Sequence, residues 1–338
     1  MSSPTPAPNP LRFFEAVSAY QQTEAIKAAV ELDLFTTIAE TGGGLQAIAA
    51  KCHAAPRGVR ILCDFLAIQG FLIKAKERYE LTPDSRVFLV RTSPAYLGGS
   101  LEFLLSSELT DGFGSLADAV RRGGTVLSRE GTMEEQHPVW VKFARVMGPV
   151  TAVSAPHLAE LADPQANRPL RVLDLAAGHG LFGIAVARRN AYAQVVAQDW
   201  GPVLEVAREH AQSAGVADRY SVLAGSAFDV DLGGGYDVIL VTNFLHHFDV
   251  PTCEQLIRRL GAVLKSGGIV ATLEFIPNDD RITPPPVARF SATMLATTAA
   301  GDAYTFREYE SMFRSAGFRR STLHALPDSP QSVVVSTK

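Results

Sequence analysis

Residues 171–200 read RVLDLAAGHGLFGIAVARRNAYAQVVAQDW, and this stretch decides the fold. Val172, Leu173 and Leu175 make a short apolar run with β-branched character, and the turn AAGHG follows. GLFGIAVARR then carries apolar residues at helical spacing, and AQVVAQDW is a second apolar strand. The pattern predicts strand, glycine turn, helix and strand, with the acid Asp199 at the tip of the second strand. In such a βαβ unit the first helix N-terminus and that acid converge on one crevice, at the carboxyl ends of the strands. The expected occupant bears a nucleoside.

From Gly178 the chain reads GHGLFG, which matches the dinucleotide pattern in which backbone amides close on a pyrophosphate. Asp174 argues the other way. A carboxylate in the first strand, four residues before Gly178, repels a pyrophosphate but suits a cationic amino-acid moiety held through water or backbone. The plainer alternative is that Gly178 and Gly180 only permit a tight turn. The pattern DLAAGHG resembles motif I of class I S-adenosylmethionine-dependent methyltransferases, with Ala176 in place of the first glycine.

Beyond Trp200 the alternation is regular. GPVLEVAREHAQSAG reads as a helix, YSVLAGSAF as a third strand and YDVILVTNFLHHF as a fourth. PTCEQLIRRLGAVLKSGG reads as a helix with a glycine stop, IVATLEFIP as a fifth strand and TFREYESMFRSAGF as a helix. FRRSTLHAL and QSVVVSTK form a last pair of strands. Strands alternating with helices predict an α/β, Rossmann-like domain over residues 169–338, with an open, mostly parallel sheet. The short PDSP loop requires one of the last two strands to run antiparallel.

The chain has 338 residues, which suits two domains. With 47 % hydrophobic and 20 % charged residues it is of the globular class. A net charge of −4 offers no general attraction to nucleic acid or anionic membrane. Cys52, Cys63 and Cys253 are sparse and lack metal spacing, as in a reducing cytosol, so a cytoplasmic location is expected. MSSPTPAPNP, residues 1–10, reads as a short disordered leader without signal-peptide features. No apolar run approaches the ~20 residues that span a bilayer.

Residues 11–38 carry helical spacing without Pro or Gly and predict two helices, the second ending near the break at 41–44. LQAIAAKC is a short helix, RGVRILCDFLAIQGF a longer one, and LIKAKERYELTP a small hairpin. Helices followed by a two-stranded wing make residues 11–100 a winged helix. A DNA reader shows a basic excess, yet residues 1–110 hold ten Lys/Arg against eleven Asp/Glu. Dimerisation is the better use of this domain. Residues 101–168 read as a helical linker. Trp140, Phe143 and Met147 share one helix face, which either packs in the core or lines a substrate pocket.

The two-domain plan, motif I and the block NFLHHFDVPTCEQLIRRLGAVLKSGG resemble the small-molecule O-methyltransferases of the caffeic acid and acetylserotonin type, over roughly residues 12–338. The resemblance implies S-adenosylmethionine as cofactor and its homocysteine thioether as product. It also implies a homodimer through the first domain and a small, flat acceptor. It places a general base at His246 and matches Glu274 to an acid flanking that base; the second flanking position falls near Ala303, with only Asp302 adjacent. Imidazole ordinarily titrates near ~6.5, which suits proton abstraction near neutrality. By the same resemblance Asp199 receives the ribose hydroxyls, while Gly178 and Gly180 admit the methionine portion. Trp200 and Phe228 flank the adenine, and Ser226 stands where relatives keep an acid. Asn243 either touches a ligand or caps a turn, and Phe103, Phe143, Phe244 and Phe290 shape the acceptor pocket. His246, His247 and Asp249 are clustered, but adjacent histidines on a strand point apart, which disfavours a metal. The alternatives are C- or N-methylation, an NAD-dependent oxidoreductase, and a winged-helix regulator that senses a metabolite.

Overall fold

The computed structural model describes residues 8–338; the leader expected at 1–10 therefore lies mostly outside the described residues. The chain divides into two compact units, the first ending at Leu101 and the second running from Glu102.

In the first unit, α1 (Leu11–Glu31), α2 (Leu34–Thr41), α3 (Leu45–Lys51), α4 (Pro56–Ile68) and α5 (Pro83–Phe88) surround a hairpin of β1 (Leu72–Ala75) and β2 (Arg78–Leu81). Pro56 starts α4, where its missing N–H costs no hydrogen bond. Val59, Cys63 and Leu66 fall on one face of α4 and are buried with Phe35, Ile48 and Tyr79. α1 is different. Of its 21 residues only Ala29 is buried, and Leu11, Phe13, Phe14, Val17 and Tyr20 stand in solvent.

The second unit is built on a seven-stranded sheet in the order β5-β4-β3-β6-β7-β9-β8. The strands are β3 (Leu170–Leu175), β4 (Ala193–Asp199), β5 (Tyr220–Ala224), β6 (Tyr236–Thr242), β7 (Leu264–Glu274), β8 (Arg320–Ala325) and β9 (Ser332–Thr337). β9 pairs antiparallel with both β7 and β8, so the reversed strand is the last one. Helices cover both faces, which is why the strands read as continuous apolar runs. Val172, Val238 and Leu240 face the layer of helices Ser154–Ala162 and Leu181–Arg189. Leu173, Ile239 and Val241 face the opposite layer, with helices Val250–Val263 and Phe306–Ser315. No helix is long and apolar enough to cross a membrane among the described residues.

Three strand ends differ from the sequence expectation, each for a local backbone reason. β5 stops at Ala224, because Gly225 turns the chain at φ 141° and Ser226 Oγ accepts the N–H of Phe228. β6 stops at Thr242, because Asn243 takes a left-handed φ of 53°. The glycines expected to stop a helix lie inside β7, where Gly267 takes φ 75° and the pairing with β6 shifts register. The helix ends earlier, at Val263. The helical linker expected over residues 101–168 ends, before the sheet, in three helices, Val139–Val146, Gly148–Thr151 and Ser154–Ala162.

Candidate active site

Strand order reverses between β3 and β6, and ligands of open α/β sheets bind outside the carboxyl ends at such a point. Motif I forms the floor there. Ala176, Gly178 and Gly180 all take left-handed φ, at 50°, 56° and 74°. At Gly180 a Cβ would stand 2.4 Å from the Tyr220 hydroxyl and 2.9 Å from the Ala207 Cβ, so only glycine fits. Asp199 ties the turn to β4: Oδ2 accepts from the Gly178 N–H at 2.8 Å and Oδ1 from that of Trp200 at 2.6 Å. Burial outweighs these two bonds and pushes the Asp199 carboxyl up to about 6. Asp174 is sealed beneath the turn, where Oδ2 accepts from the Gly183 N–H at 2.9 Å and Oδ1 has no partner. Burial pushes its carboxyl up to about 7.

The second half of the site follows from the early end of β6. Leu245, His246 and His247 form a single 3₁₀ turn under the C-terminus of β7. His246 Nδ1 donates to Glu274 Oε2, and this fixes the tautomer because an ionised carboxylate only accepts. Glu274 Oε1 accepts from the backbone N–H groups of Phe244, at 3.0 Å, and Leu245, at 2.9 Å. Glu274 is fully buried, and His246 is 3 % exposed, with Phe290 edge-on at 4.9 Å. Phe290 in turn stacks on Phe275 at 4.3 Å. Gly301 and Asp302 back the turn: Asp302 donates its N–H to the His246 carbonyl at 2.9 Å. The Asp302 carboxylate is paired with Arg281 at 3.0 Å and does not meet the imidazole.

A cavity of about 1100 Å³ joins the two halves. Of the expected site residues, Asp199, Trp200, Ser226, Phe228, Phe244 and Trp140 line it. Gly178, Gly180, Asp174 and Asn243 are not among its lining residues, and Asn243 Oδ1 is taken by Gln331. Phe143 stacks on His179 at 5.8 Å and meets Phe103 edge-on at 5.1 Å, while Met147 is nearly buried at the end of the same helix. His247 lines the cavity and His246 is its immediate neighbour, their ring centroids 4.2 Å apart. Asp249 caps the helix Val250–Val263 by accepting the Thr252 N–H at 2.9 Å.

Two contributions escaped the sequence reading. Gln198 bridges the site's walls, accepting from the Ala176 N–H at 3.3 Å and donating to the Gly225 carbonyl at 2.6 Å. Its signal was a buried amide one residue before the strand-tip acid. The loop carrying Glu130, Met133 and Glu135 also lines the cavity. It is held by Thr132, whose N–H donates to the Thr297 carbonyl at 3.0 Å. No local pattern marks such a contact, because its partner lies far along the chain.

Sheet order, glycine turn and strand-tip acid define a class I methyltransferase. The O-methyltransferase domain model matches residues 113–319, and the O-methyltransferase dimerisation domain model matches residues 14–91. The chain belongs to the O-methyltransferase family, and it is an S-adenosylmethionine-dependent O-methyltransferase. This sets aside the carbon- and nitrogen-directed, oxidoreductase and regulator alternatives. A crystal structure from Nostoc punctiforme PCC 73102, provisionally described as an O-methyltransferase, is 53 % identical with a TM-score of 0.94, covering 98 % of this chain and 100 % of that one. The 3-hydroxy-5-methyl-1-naphthoate 3-O-methyltransferase of Streptomyces sahachiroi is 26 % identical over 299 residues, 88 % of this chain and 86 % of the relative. Acetylserotonin O-methyltransferase of Mus musculus is 25 % identical over 339 residues, 94 % of this chain and 86 % of the relative.

The residues present suit that cofactor. A carboxylate at the strand tip matches a ribose diol, and Trp200 and Phe228 offer aromatic surface to a purine. Among the described lining residues no lysine or arginine opposes a sulfonium.

Proposed function

We propose that the enzyme methylates a hydroxyl of a small aromatic metabolite, with His246 as general base and Glu274 as the group that orients it. The observation that carries this is the buried His246–Glu274 pair. Nδ1 is committed to the carboxylate, so Nε2 is the free lone pair, and it has neither a hydrogen-bond partner nor a complete seal from solvent. Bound S-adenosylmethionine supplies an electrophilic methyl group. The chain's part is to hold the acceptor in line and to take the hydroxyl proton on Nε2, leaving an imidazolium that Glu274 stabilises.

In this reading Asp199 and Ser226 hold the adenosyl end, and Trp200 and Phe228 flank the purine. Gly178 and Gly180 give the methionine portion its approach, with Asp174 setting the turn from below. Phe244, Phe290 and Trp140 shape the acceptor side, with Phe143 and Met147 packed behind. Aromatic acceptors in the names of relatives, a naphthoate among them, support a flat ligand. Residues 11–100 serve as the dimerisation domain, and the exposed apolar stripe of α1 supports a homodimer through it.

Transfer of labelled methyl groups to a phenol panel, with wild type beside His246→Ala, tests the reading. The variant should lose ~10²–10⁴ in kcat while binding S-adenosylmethionine unchanged. Full activity in that variant refutes the base.

A further inference from the structure

His247 has no task in the reaction described so far, and its position is costly. The ring is 7 % exposed, and its Nδ1 is sealed from solvent without a hydrogen-bond partner. A buried unpaired polar atom is destabilising, a cost that an apolar side chain would avoid. The ring nevertheless lines the ligand cavity, edge-on to Trp140 at 5.2 Å. Burial first, and then the neighbouring His246, drive its pKa well below the usual 6.5. It is therefore a neutral ring with one donor and one acceptor nitrogen, and it has no carboxylate to support an imidazolium. It is built to hydrogen bond, not to take a proton.

We infer that His247 is a specificity-determining contact of the methyl acceptor, giving a hydrogen bond through Nε2, the ring nitrogen that is neither sealed nor bonded, to an uncharged oxygen or nitrogen close to the hydroxyl that is methylated. This role rests on the proposed O-methylation with His246 as base. The two ring centroids are 4.2 Å apart, so an acceptor whose hydroxyl meets His246 presents to His247 an atom only a few bonds away. The pair is held in place from behind: a Cβ on Gly301 would stand 2.3 Å from the His246 carbonyl oxygen and 2.9 Å from the His247 carbonyl carbon. The polar atom on the acceptor is uncharged because the rest of the lining is hostile to anions. Its charged members, Glu130, Glu135, Asp199, Asp229 and Asp249, are all carboxylates. A neutral imidazole does not offset their repulsion of a carboxylate-bearing acceptor.

Matched phenols test this. Phenol, naphthol and anthrol serve as probes, each carrying beside the hydroxyl a methyl ketone, a hydrogen or a carboxylate. They are assayed with wild type, His247→Phe and His247→Gln, and calorimetry gives the Kd of each protein for S-adenosylmethionine. Ketones should show the lowest KM with wild type. His247→Phe should raise the ketone KM about tenfold, with the KM of the unsubstituted phenol and the Kd for S-adenosylmethionine within about twofold of wild type. His247→Gln should recover most of the loss. A ketone preference that survives His247→Phe overturns the inference, as does equal use of carboxylates by wild type. A Kd for S-adenosylmethionine that rises in step with KM overturns it too and makes His247 a cofactor contact. Wild type that binds S-adenosylmethionine yet methylates none of the probes marks failure of the proposed aromatic substrate class itself, and the His247 contact falls with it.

Discussion

Glu274, at the last position of β7, grips His246 through Nδ1 and in the same stroke receives two backbone N–H groups of the turn that carries it. One buried carboxylate thus sets both the ring's tautomer and the path of the chain beneath it. Glu274→Gln keeps the shape but brings an N–H₂ where only acceptors belong, and it leaves Nε2 free to carry the proton. The expected result is a kcat lower by ~10²–10⁴ with little change in the Kd for S-adenosylmethionine. Stopped-assay rates beside calorimetry check it, and a variant at wild-type rate would remove Glu274 from the mechanism.

With Asp199 as the proposed seat of the ribose diol, cofactor affinity is expected to depend on pH. The Asp199 carboxyl titrates at about 6 in the free protein because burial raises it against two backbone hydrogen bonds. A ribose diol donates to the ionised form, so affinity is full above about 6 and falls as pH drops through that value, approaching tenfold per unit below it. For folding the sign is opposite. The protonated form is favoured in the folded state, so Asp199 contributes a stability that is full below the unfolded value of 3.8 and is lost as pH rises toward about 6. Calorimetric titration from pH 5 to 8 reads the binding effect. Asp199→Asn should bind weakly with a flat profile over this range, and an equally steep profile in that variant would assign the proton elsewhere.

What was legible in the sequence was local. The apolar runs 172–175 and 193–197, the turn between them and the acid at 199 lie within thirty residues and give sheet, crevice and cofactor together. His246 was singled out by the family resemblance of the LHHFD block, which closes an apolar strand. Its exact setting was not legible, because a left-handed Asn243 converts the expected strand end into a turn, and a turn sends consecutive side chains to neighbouring positions. That is why His246 and His247 lie ring to ring instead of pointing apart. The wall formed by Glu130 and Met133 was hidden for a different reason. It depends on backbone hydrogen bonds from 125 and 132 to 298 and 297, a pairing that leaves no periodicity behind.

Ala176 stands where the family motif has glycine, and it pays for that with a φ of 50°. A left-handed alanine costs roughly 1–2 kcal/mol, and the greater freedom of an unfolded glycine returns about 0.4–1 kcal/mol of that. Ala176→Gly should therefore stabilise the protein by roughly 0.5–1 kcal/mol, a rise of a few degrees in Tm for a unit of this size. A thermal melt of the ligand-free protein checks it. An unchanged or lower Tm would show that the turn relieves the strain some other way.

Gly301 touches the site through backbone alone. Its missing Cβ leaves room for the His246 carbonyl oxygen, which would otherwise lie 2.3 Å away. Gly301→Ala must push the histidine turn aside while leaving Asp199 and the glycine turn untouched. The expected outcome is a kcat reduced by ~10²-fold, the scale of a 1 Å misplacement, with Kd for S-adenosylmethionine within twofold. Parallel loss of both would mean that the whole cavity has deformed.

The amino-terminal half of α1 is the least satisfied surface of the first unit. Leu11, Phe14, Val17 and Tyr20 recur every third residue along a stripe that winds around one half of the helix, Phe13 lies within the same half, and each is more than half exposed. Contiguous apolar surface of that kind is sustained in water only when something covers it. A second copy of the chain is the available cover, since the dimerisation domain model spans most of this helix. Phe14→Asp with Tyr20→Asp places two charges in the centre of the stripe, where a dimer would bury them unpaired at several kcal/mol each. Sedimentation at micromolar concentration should show a dimer for wild type and a folded monomer for the double variant, with circular dichroism unchanged. A wild-type monomer, or a double variant that still dimerises, would move the interface off this helix.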